Sequence, residues 1–462
     1  MRPSTRDEFE IAIVCALPVE CDAVLASFDE TFDKSGQIYG KHPGDVNVYA
    51  NGRIGLHNVV LSHMPGMGKV NAAGVASHLC ISFPGIKLAL VVGICGGVPF
   101  PTSTASNRAE VILGDVVVSD CIVEYDFGRQ YPDGFRLRGN IQDVPGRPSR
   151  QIRAVLSSLK LRETRRELEN RLSHHLRSLQ AQNPIWQHPG AAHDVLFEAS
   201  YRHRHYQNDT TCVCADCWSG SDPVCEEALL KDCKSLMCAG NPVIRERHTK
   251  SESTAPCVHI GPVACGDTVM KSGEHRDKLA EAEGVIGFEM EGAGVWDILP
   301  CVIIKGVCDY ADSHKDKRWQ AYAAATGASG VKAFLEHWRP SLASGMPDID
   351  KRCLSDLLLT DPRDDKLRIE KTRGGLLRES FSWVLEHPVF HRWRYDVQHR
   401  VLWIRGDAGK GETMLMIGII DELTKQGALL KEPEFALVVS YFICQGTDSR
   451  LNNAASILRG LL

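Results

Sequence analysis

Apolar residues in the first two-thirds of the chain follow two alternating rhythms. Residues 9–17, Phe-Glu-Ile-Ala-Ile-Val-Cys-Ala-Leu, form a nearly unbroken apolar run and predict a buried first strand. Residues 18–28 then predict a helix, with Pro18 near its first turn and Val19, Ala23, Val24 and Phe28 at helical spacing. Residues 46–54 and 57–64 alternate like strands, and 66–79 open on glycine and continue as a small-residue helix. Residues 88–94 predict a β-branched buried strand running into a glycine turn, and 111–118, 257–264 and 301–307 predict further strands. Residues 287–298 read as a turn into a helix, and 321–338 as an alanine-rich helix. Strands alternating with helices imply an α/β fold around a mostly parallel or mixed sheet.

Two stretches interrupt this rhythm. Residues 147–189 are rich in Arg and Leu and read as a helical, solvated insert, whereas 200–256 form a polar insert rich in Cys and His. After Trp338 the pattern changes again. A Pro/Gly/Ser linker at 339–350 leads to 354–359, the charged 361–371 and a helix-like 376–393. A further buried strand, 401–404, then runs into Gly406. The expected organisation is a domain at 8–338 carrying both inserts, the linker, and a truncated second module at 351–462.

Composition narrows the class. A formal net charge of −5 with no concentrated basic face argues against nucleic acid or a membrane surface as partner. No apolar run approaches the roughly 18–20 residues that span a bilayer. Asp7, Glu8 and Glu10 precede the first apolar run, the wrong order for a signal peptide. The default location is cytoplasmic, where the 17 cysteines are expected to be mostly reduced thiols.

Candidate chemistry gathers at the C-terminal ends of strands, where open α/β sheets bind ligands. Glu20 follows the first strand, the glycine turn of Gly93, Ile94, Cys95, Gly96 and Gly97 follows another, and Asp309 follows 301–307. Phe288, Glu289, Met290, Glu291 and Gly292 form a further cluster. Three carboxylates, Glu20, Glu291 and Asp309, suit the rupture of a C–N bond to a sugar. One protonates the leaving base, one takes a proton from water, and one holds the sugar hydroxyls.

These motifs resemble the nucleoside phosphorylase superfamily, most of all its hydrolytic branch, the 5′-methylthioadenosine/S-adenosylhomocysteine nucleosidases. The resemblance is carried by Ile11 through Glu20, by Gly66-Met-Gly-Lys-Val-Asn-Ala72, by Gly93 to Gly97, by Leu113-Gly-Asp-Val-Val-Val-Ser119, by Gly266-Asp267 and by Glu289-Met290-Glu291-Gly292. It implies a three-layer α/β/α fold with a central mixed sheet. It implies Glu20 as the water-activating residue and Asp309 as the acid facing the purine. It places Gly93, Cys95, Gly96, Val269, Met270 and Glu289 around the substrate, Met290 under the sugar and Glu291 on the ribose hydroxyls. No cofactor is required, and relatives form homo-oligomers.

There are departures. Ile94 stands where the superfamily commonly has Ser or Thr, and the aromatic expected near Val269 is missing. Val91 and Val92 stand where phosphorylases carry a phosphate-binding arginine, which favours water as acceptor. Arg129, Arg136 and Arg138 on a loop, with Lys69 and Arg202, could instead bind the phosphates of a nucleotide such as ATP. A phosphorylase and a non-catalytic purine sensor therefore stay open beside the hydrolase.

The polar insert carries Cys212, Cys214 and Cys217, followed by Cys225, Cys233 and Cys238, with His203 and His205 upstream. Cys212, Cys214, Cys217 and Cys225 are the first candidates for a structural zinc, though the spacing is not a pair of C-x₂-C units and idle thiols are the alternative. In the second module Gly406, Gly411 and Thr413 fit a phosphate-binding loop, but Glu412 takes the place of its lysine and would repel phosphate. Arg352-Cys-Leu-Ser-Asp-Leu, Thr360-Asp-Pro-Arg-Asp-Asp-Lys, Gly374-Gly-Leu-Leu and Thr447-Asp-Ser-Arg-Leu-Asn452 resemble the start of the NACHT domain of fungal NOD-like receptors.

Overall fold

A computed structural model of the chain describes residues 2–101, 110–137, 146–206, 212–217, 222–240, 242–250, 254–338, 362–372, 378–396, 398–399, 401–407, 411–429, 439–444 and 454–461. It divides into two units, Met1–Pro340 and Ser341–Leu462. The linker read at 339–350 lies outside the described residues.

The first unit is an α/β fold on a mixed sheet. Its strands are β1 (Ile11–Cys15), β2 (Glu30–Asp33), β3 (Tyr49–Ile54), β4 (His57–His63), β5 (Leu88–Gly97), β6 (Val116–Glu124), a hairpin of β7 (Gly128–Tyr131) and β8 (Gly134–Leu137), β9 (Val258–Cys265), β10 (Gly287–Glu289) and β11 (Cys301–Asp309). Its helices are α1 (Pro18–Ser27), α2 (Lys69–Ser82), α3 (Arg150–Leu159), α4 (Arg162–Gln182), α5 (Glu226–Leu230), α6 (Glu246–Lys250), α7 (Gly273–Glu283), α8 (Gly292–Trp296) and α9 (Trp319–His337).

The main sheet has nine strands in the order β10-β9-β6-β11-β5-β1-β4-β3-β2. β1 lies parallel between β4 and β5, which explains its unbroken apolar run: every residue is buried on both faces. The three-residue β10 pairs parallel with β9 and antiparallel with β5, so β5, β11, β6, β9 and β10 close into a ring. That closure draws the ends of β5, β10 and β11 together. Sequence pattern alone read 287–298 as a turn and helix. The structure makes its first residues β10, because the pairing partners lie far away in sequence.

The segment 147–189 is not a solvated insert. Leu168, Leu172, Leu176 and Leu179 recur at helical spacing along α4 and are buried in the main core, and α4 packs on α9. Arginines fill the other face, which is why composition suggested a solvated helix.

The second unit contains helices Pro362–Thr372, Ser382–Leu385, Pro388–Tyr395, Glu412–Leu429 and Ala454–Leu461, with Val384, Phe390 and Ile419 in a small core. The buried strand expected at 401–404 does not form among the described residues. Leu402 and Ile404 pack on that core, while Val401 and Trp403 are each 82% exposed. A strand buried on both faces needs paired neighbours, and the described residues of this unit supply none. Among the described residues no helix is long and apolar enough to cross a membrane.

Candidate active site

The site begins where β1 ends. Pro18 opens α1, and Glu20 turns its carboxylate back over the first turn. Glu20 Oε2 accepts the N–H groups of Ala16 and Leu17 at 2.9 and 2.8 Å, and Oε1 accepts that of Ile94 at 2.8 Å. Glu20 is 2% exposed. A Cβ added at Gly93 would lie 2.0 Å from Glu20 Oε1, so only glycine lets the carboxylate sit there. Burial pushes the Glu20 carboxyl above its ordinary value, opposed by Lys305 and the backbone donors.

The second part comes from β10 and the start of α8. Glu289 is spent on its own turn, accepting the Glu291 N–H at 3.0 Å and the Gly292 N–H at 3.0 Å. Glu291 stands at the N-terminus of α8, where its charge is favoured, and its Oε2 accepts Lys305 Nζ at 2.8 Å. Lys305, on β11, is 1% exposed, with Glu289 Oε2 3.9 Å from its ammonium. Burial alone would lower the Lys305 pKa; Glu291, Glu20 and Glu289 outweigh it and hold the ammonium charged well above its ordinary value. One buried cation thus sits among three buried carboxylates.

The third part is the end of β11. The pairing with β5 slips between Val307 and Asp309, a bulge that re-aims the strand end opposite Gly96. Asp309 Oδ1 accepts the Ala311 N–H at 2.8 Å and Lys315 Nζ at 2.7 Å, and Oδ2 takes the Cys308 thiol at 3.4 Å. Ala311 adopts a left-handed backbone at φ 52°, a strained geometry for a residue with a side chain. Arg276 holds the loop by donating to the Tyr310 carbonyl at 2.8 Å.

These parts line one cleft of about 190 Å³. Its walls include Glu20, Cys95, Gly96, Val269, Met270, Glu289, Met290, Glu291 and Asp309. Residues 10–181 match the phosphorylase superfamily model.

The first unit is a phosphorylase-superfamily domain.

It is followed by a NACHT-related region, whose residues 379–462 match the model described as Nephrocystin 3, N-terminal. A nucleotide-binding leucine-rich repeat (NLR)-like protein of Hyaloscypha variabilis is 31% identical over 343 residues, 72% of this chain and 30% of that protein. The vegetative incompatibility protein HET-E-1 of Podospora anserina is 53% identical over 133 residues, 29% of this chain and 9% of that protein. A 5′-methylthioadenosine/S-adenosylhomocysteine nucleosidase of Mycobacterium bovis is 29% identical over 119 residues, 26% of this chain and 39% of that enzyme. The chain therefore spans less than a third of the length of the NLR-like relative.

Not every residue expected at the site of this phosphorylase-superfamily domain arrives there. Lys69 Nζ is held by Glu124 at 3.0 Å and Asp126 at 2.6 Å, two carboxylates from and beside β6. Arg129 and Arg136 face each other across the exposed β7–β8 hairpin, and Arg136 pairs with Asp133 at 2.5 Å. Arg202 donates to the Asp222 carbonyl at 2.9 Å within the polar insert. Arg138 lies outside the described residues. The described residues lining the cleft include none of these cations, so the expected phosphate-binding set is not assembled. Acidic neighbours capture Lys69, and the hairpin carries its arginines to solvent.

Other residues at and behind the cleft escaped sequence reasoning. Lys305 was hidden as a single charge within the apolar run 301–308, and that anomaly was itself the signal. Lys315 and Gln320 come from the turn after β11 and the start of α9. The aromatic surface missing near Val269 is supplied from elsewhere: Tyr125 and Phe288 meet edge to face with centroids 5.7 Å apart, and both line the cleft.

In the polar insert the thiols group differently from the first reading. His205, Cys212, Cys214 and Cys225 converge, while Cys217 faces the Asp222 carbonyl instead. His203, Cys233, Cys238 and His314 form a second group. In the second unit Gly406, Gly411, Glu412 and Thr413 are described, and Thr413 is exposed.

Proposed function

We propose that the first unit hydrolyses the N-glycosidic bond of a purine nucleoside. The observation carrying this reading is the convergence of Glu20, Glu291 and Asp309 on one cleft. Glu20 is held as a carboxylate by three N–H donors, and its raised proton affinity suits it to draw a proton from water. Glu291, steadied by Lys305, offers its other oxygen to vicinal sugar hydroxyls. Met290 lies beside it against the sugar face, and Phe288 and Tyr125 offer an apolar wall to the base. Once the substrate displaces Lys315, Asp309 takes up a proton from solvent and passes it to the leaving purine as the glycosidic bond breaks.

Water is favoured over inorganic phosphate as acceptor. Val91 and Val92 are buried within β5; Lys315, which lines the cleft, and Lys305, buried behind Glu291, are each already paired with a carboxylate. The same acidity favours a neutral nucleoside over a nucleotide. The likeness to a methylthioadenosine nucleosidase over 119 residues supports the reaction class. In the setting of the NLR-like relative, we read this activity as an effector output governed by the NACHT-related region.

One observation favours a second reading. Lys315 Nζ occupies Asp309 Oδ1 at 2.7 Å, so the candidate acid is engaged by a cation and not turned to a base, as in a domain that binds a purine without cleaving it. Incubating the protein with adenosine, methylthioadenosine or ATP, with and without phosphate, and measuring free adenine separates the readings. Release without phosphate supports the hydrolase, and release only with phosphate marks a phosphorylase. Binding without release marks a sensor. Asp309→Asn is expected to lower release about 10²–10⁴-fold; undiminished turnover would remove Asp309 from the acid role.

A further inference from the structure

The polar insert holds two groups of four sulfur and nitrogen ligands. His205, Cys212, Cys214 and Cys225 form one, and His203, Cys233, Cys238 and His314 the other; within each group the ligand atoms lie within 4.8 Å of one another. The histidines stand two residues apart, and neighbouring positions send their rings to different groups.

The sulfur-to-nitrogen distances in both groups match those of a tetrahedron around zinc. Bonds of about 2.3 Å to sulfur and about 2.0–2.1 Å to nitrogen place adjacent S and N ligands about 3.6 Å apart. His205 Nδ1 lies 3.6 Å from Cys212 Sγ and 3.7 Å from Cys225 Sγ. His314 Nδ1 lies 3.5 Å from Cys233 Sγ.

The surroundings orient these atoms as ligands. His314 Nε2 lies 3.1 Å from the Tyr201 carbonyl, so that nitrogen carries the proton and Nδ1 presents its lone pair to Cys233. The backbone N–H groups of Cys214 and Ala228 donate to Cys212 Sγ and Cys225 Sγ, each at 3.4 Å, a bond that favours thiolate. Met237, beside Cys238, adopts a left-handed backbone at φ 57°, strain that a bond to the neighbouring ligand would hold in place.

Around these two groups the described residues of the insert offer little apolar core of their own. Its separate core consists of buried Cys214, Ala228 and Leu236, and most of the residues packed on them are further cysteines. So few apolar side chains do not offset the entropy of ordering this segment, the situation in which small modules use structural metal.

We propose that the insert is a two-zinc module, with one ion held by His205, Cys212, Cys214 and Cys225 and the other by His203, Cys233, Cys238 and His314. The second ion does more than fold the insert. His314 belongs to the turn that follows Asp309 and precedes Lys315, so this zinc fastens the insert to the loop bearing the candidate acid. Its role there is positioning.

The test is metal analysis of the full chain purified without chelator. Two zinc ions per chain are expected, and any other count after zinc reconstitution overturns the module. Cys212→Ser with Cys225→Ser, and Cys233→Ser with Cys238→Ser, are each expected to lower the count to one. Cys217→Ser is expected to keep both; loss of metal in that variant would overturn the ligand assignment. Should the paired variants not fold, cobalt titration of the unaltered chain decides. Thiolate-to-cobalt absorption saturating at two equivalents supports the module, and its absence overturns it. Hydrogen exchange at residues 310–318 is expected to rise in the Cys233/Cys238 variant alone. An equal rise in the Cys212/Cys225 variant would overturn the fastening role.

Discussion

Two apolar runs in this chain end in glycine with a glutamate nearby, and only one of them builds a charge-holding site. Residues 88–97 form β5, buried between β1 and β11, and the glutamate that reaches their turn accepts three backbone N–H groups. Residues 401–407 present Val401 and Trp403 to solvent. Glu412 Oε1 is buried there without a hydrogen-bond partner among the described residues, at 2.3 Å from where a Cβ of Gly406 would stand. The local sequences are alike in kind. The difference is that the first turn lies inside a closed sheet that brings donors and a counter-charge, Lys305, from distant strands. A glycine turn creates room; the surrounding core decides what fills it.

The sharpest way to break this contrast is to remove the counter-charge. Lys305→Met leaves Glu20, Glu289 and Glu291 buried without their shared cation. Unfolding of the first unit in urea is expected to lose about 3–5 kcal/mol. The second unit's transition is expected to stay where it is, since each unit unfolds with its own core. A loss under about 1 kcal/mol, as for a surface pair, would mean that Lys305 does not hold the cluster together.

Gly93→Ala attacks the turn itself. Its Cβ falls 2.0 Å from a carboxylate oxygen anchored by the Ile94 N–H. Overpacking of that kind costs about 1–3 kcal/mol. Adenine release should fall further than the folded fraction does, because Glu20 is displaced. Release that tracks the folded fraction alone would separate Glu20 from the chemistry.

A smaller effect is a shift along the pH axis. Burial raises the Glu20 pKa, and the proposed role needs the deprotonated form. Activity is therefore retained above the folded-state value and lost as pH falls through it. The acid limb of kcat/KM should lie above the value of about 4.3 for an unperturbed glutamate. A limb at or below that value would contradict a buried base at this position.

Much of this was legible in the chain, for a local reason. β1, β5 and β11 are apolar runs, and Glu20 and Asp309 follow as the first acids where those runs stop, so burial and site could be read together. What stayed hidden depends on partners remote in sequence. β10 is three residues long and exists through pairing with β9 and β5. Lys69 looked free to bind phosphate until β6 brought Glu124 and Asp126 to it. The thiol groups could not be sorted because one of them is completed by His314, 76 residues beyond Cys238 by subtraction of their numbers. Lys305 was concealed by the opposite rule, that a strand interior carries no charge.

The mildest prediction concerns the second turn. Gly406 does not have a positive φ, so alanine is compatible with its backbone. The three nearest neighbours of the new methyl group would all belong to the Glu412 side chain, a flexible group at a half-buried position. Displacing that oxygen toward water also relieves a buried acceptor without a partner among the described residues, and this offsets the contact. Gly406→Ala is therefore expected to change the second unit's stability by no more than about 0.5 kcal/mol, measured as the shift of its thermal transition. A loss comparable to that of Gly93→Ala would show that the Gly406 turn is as tightly built as the Gly93 turn, and the contrast between the two would fall.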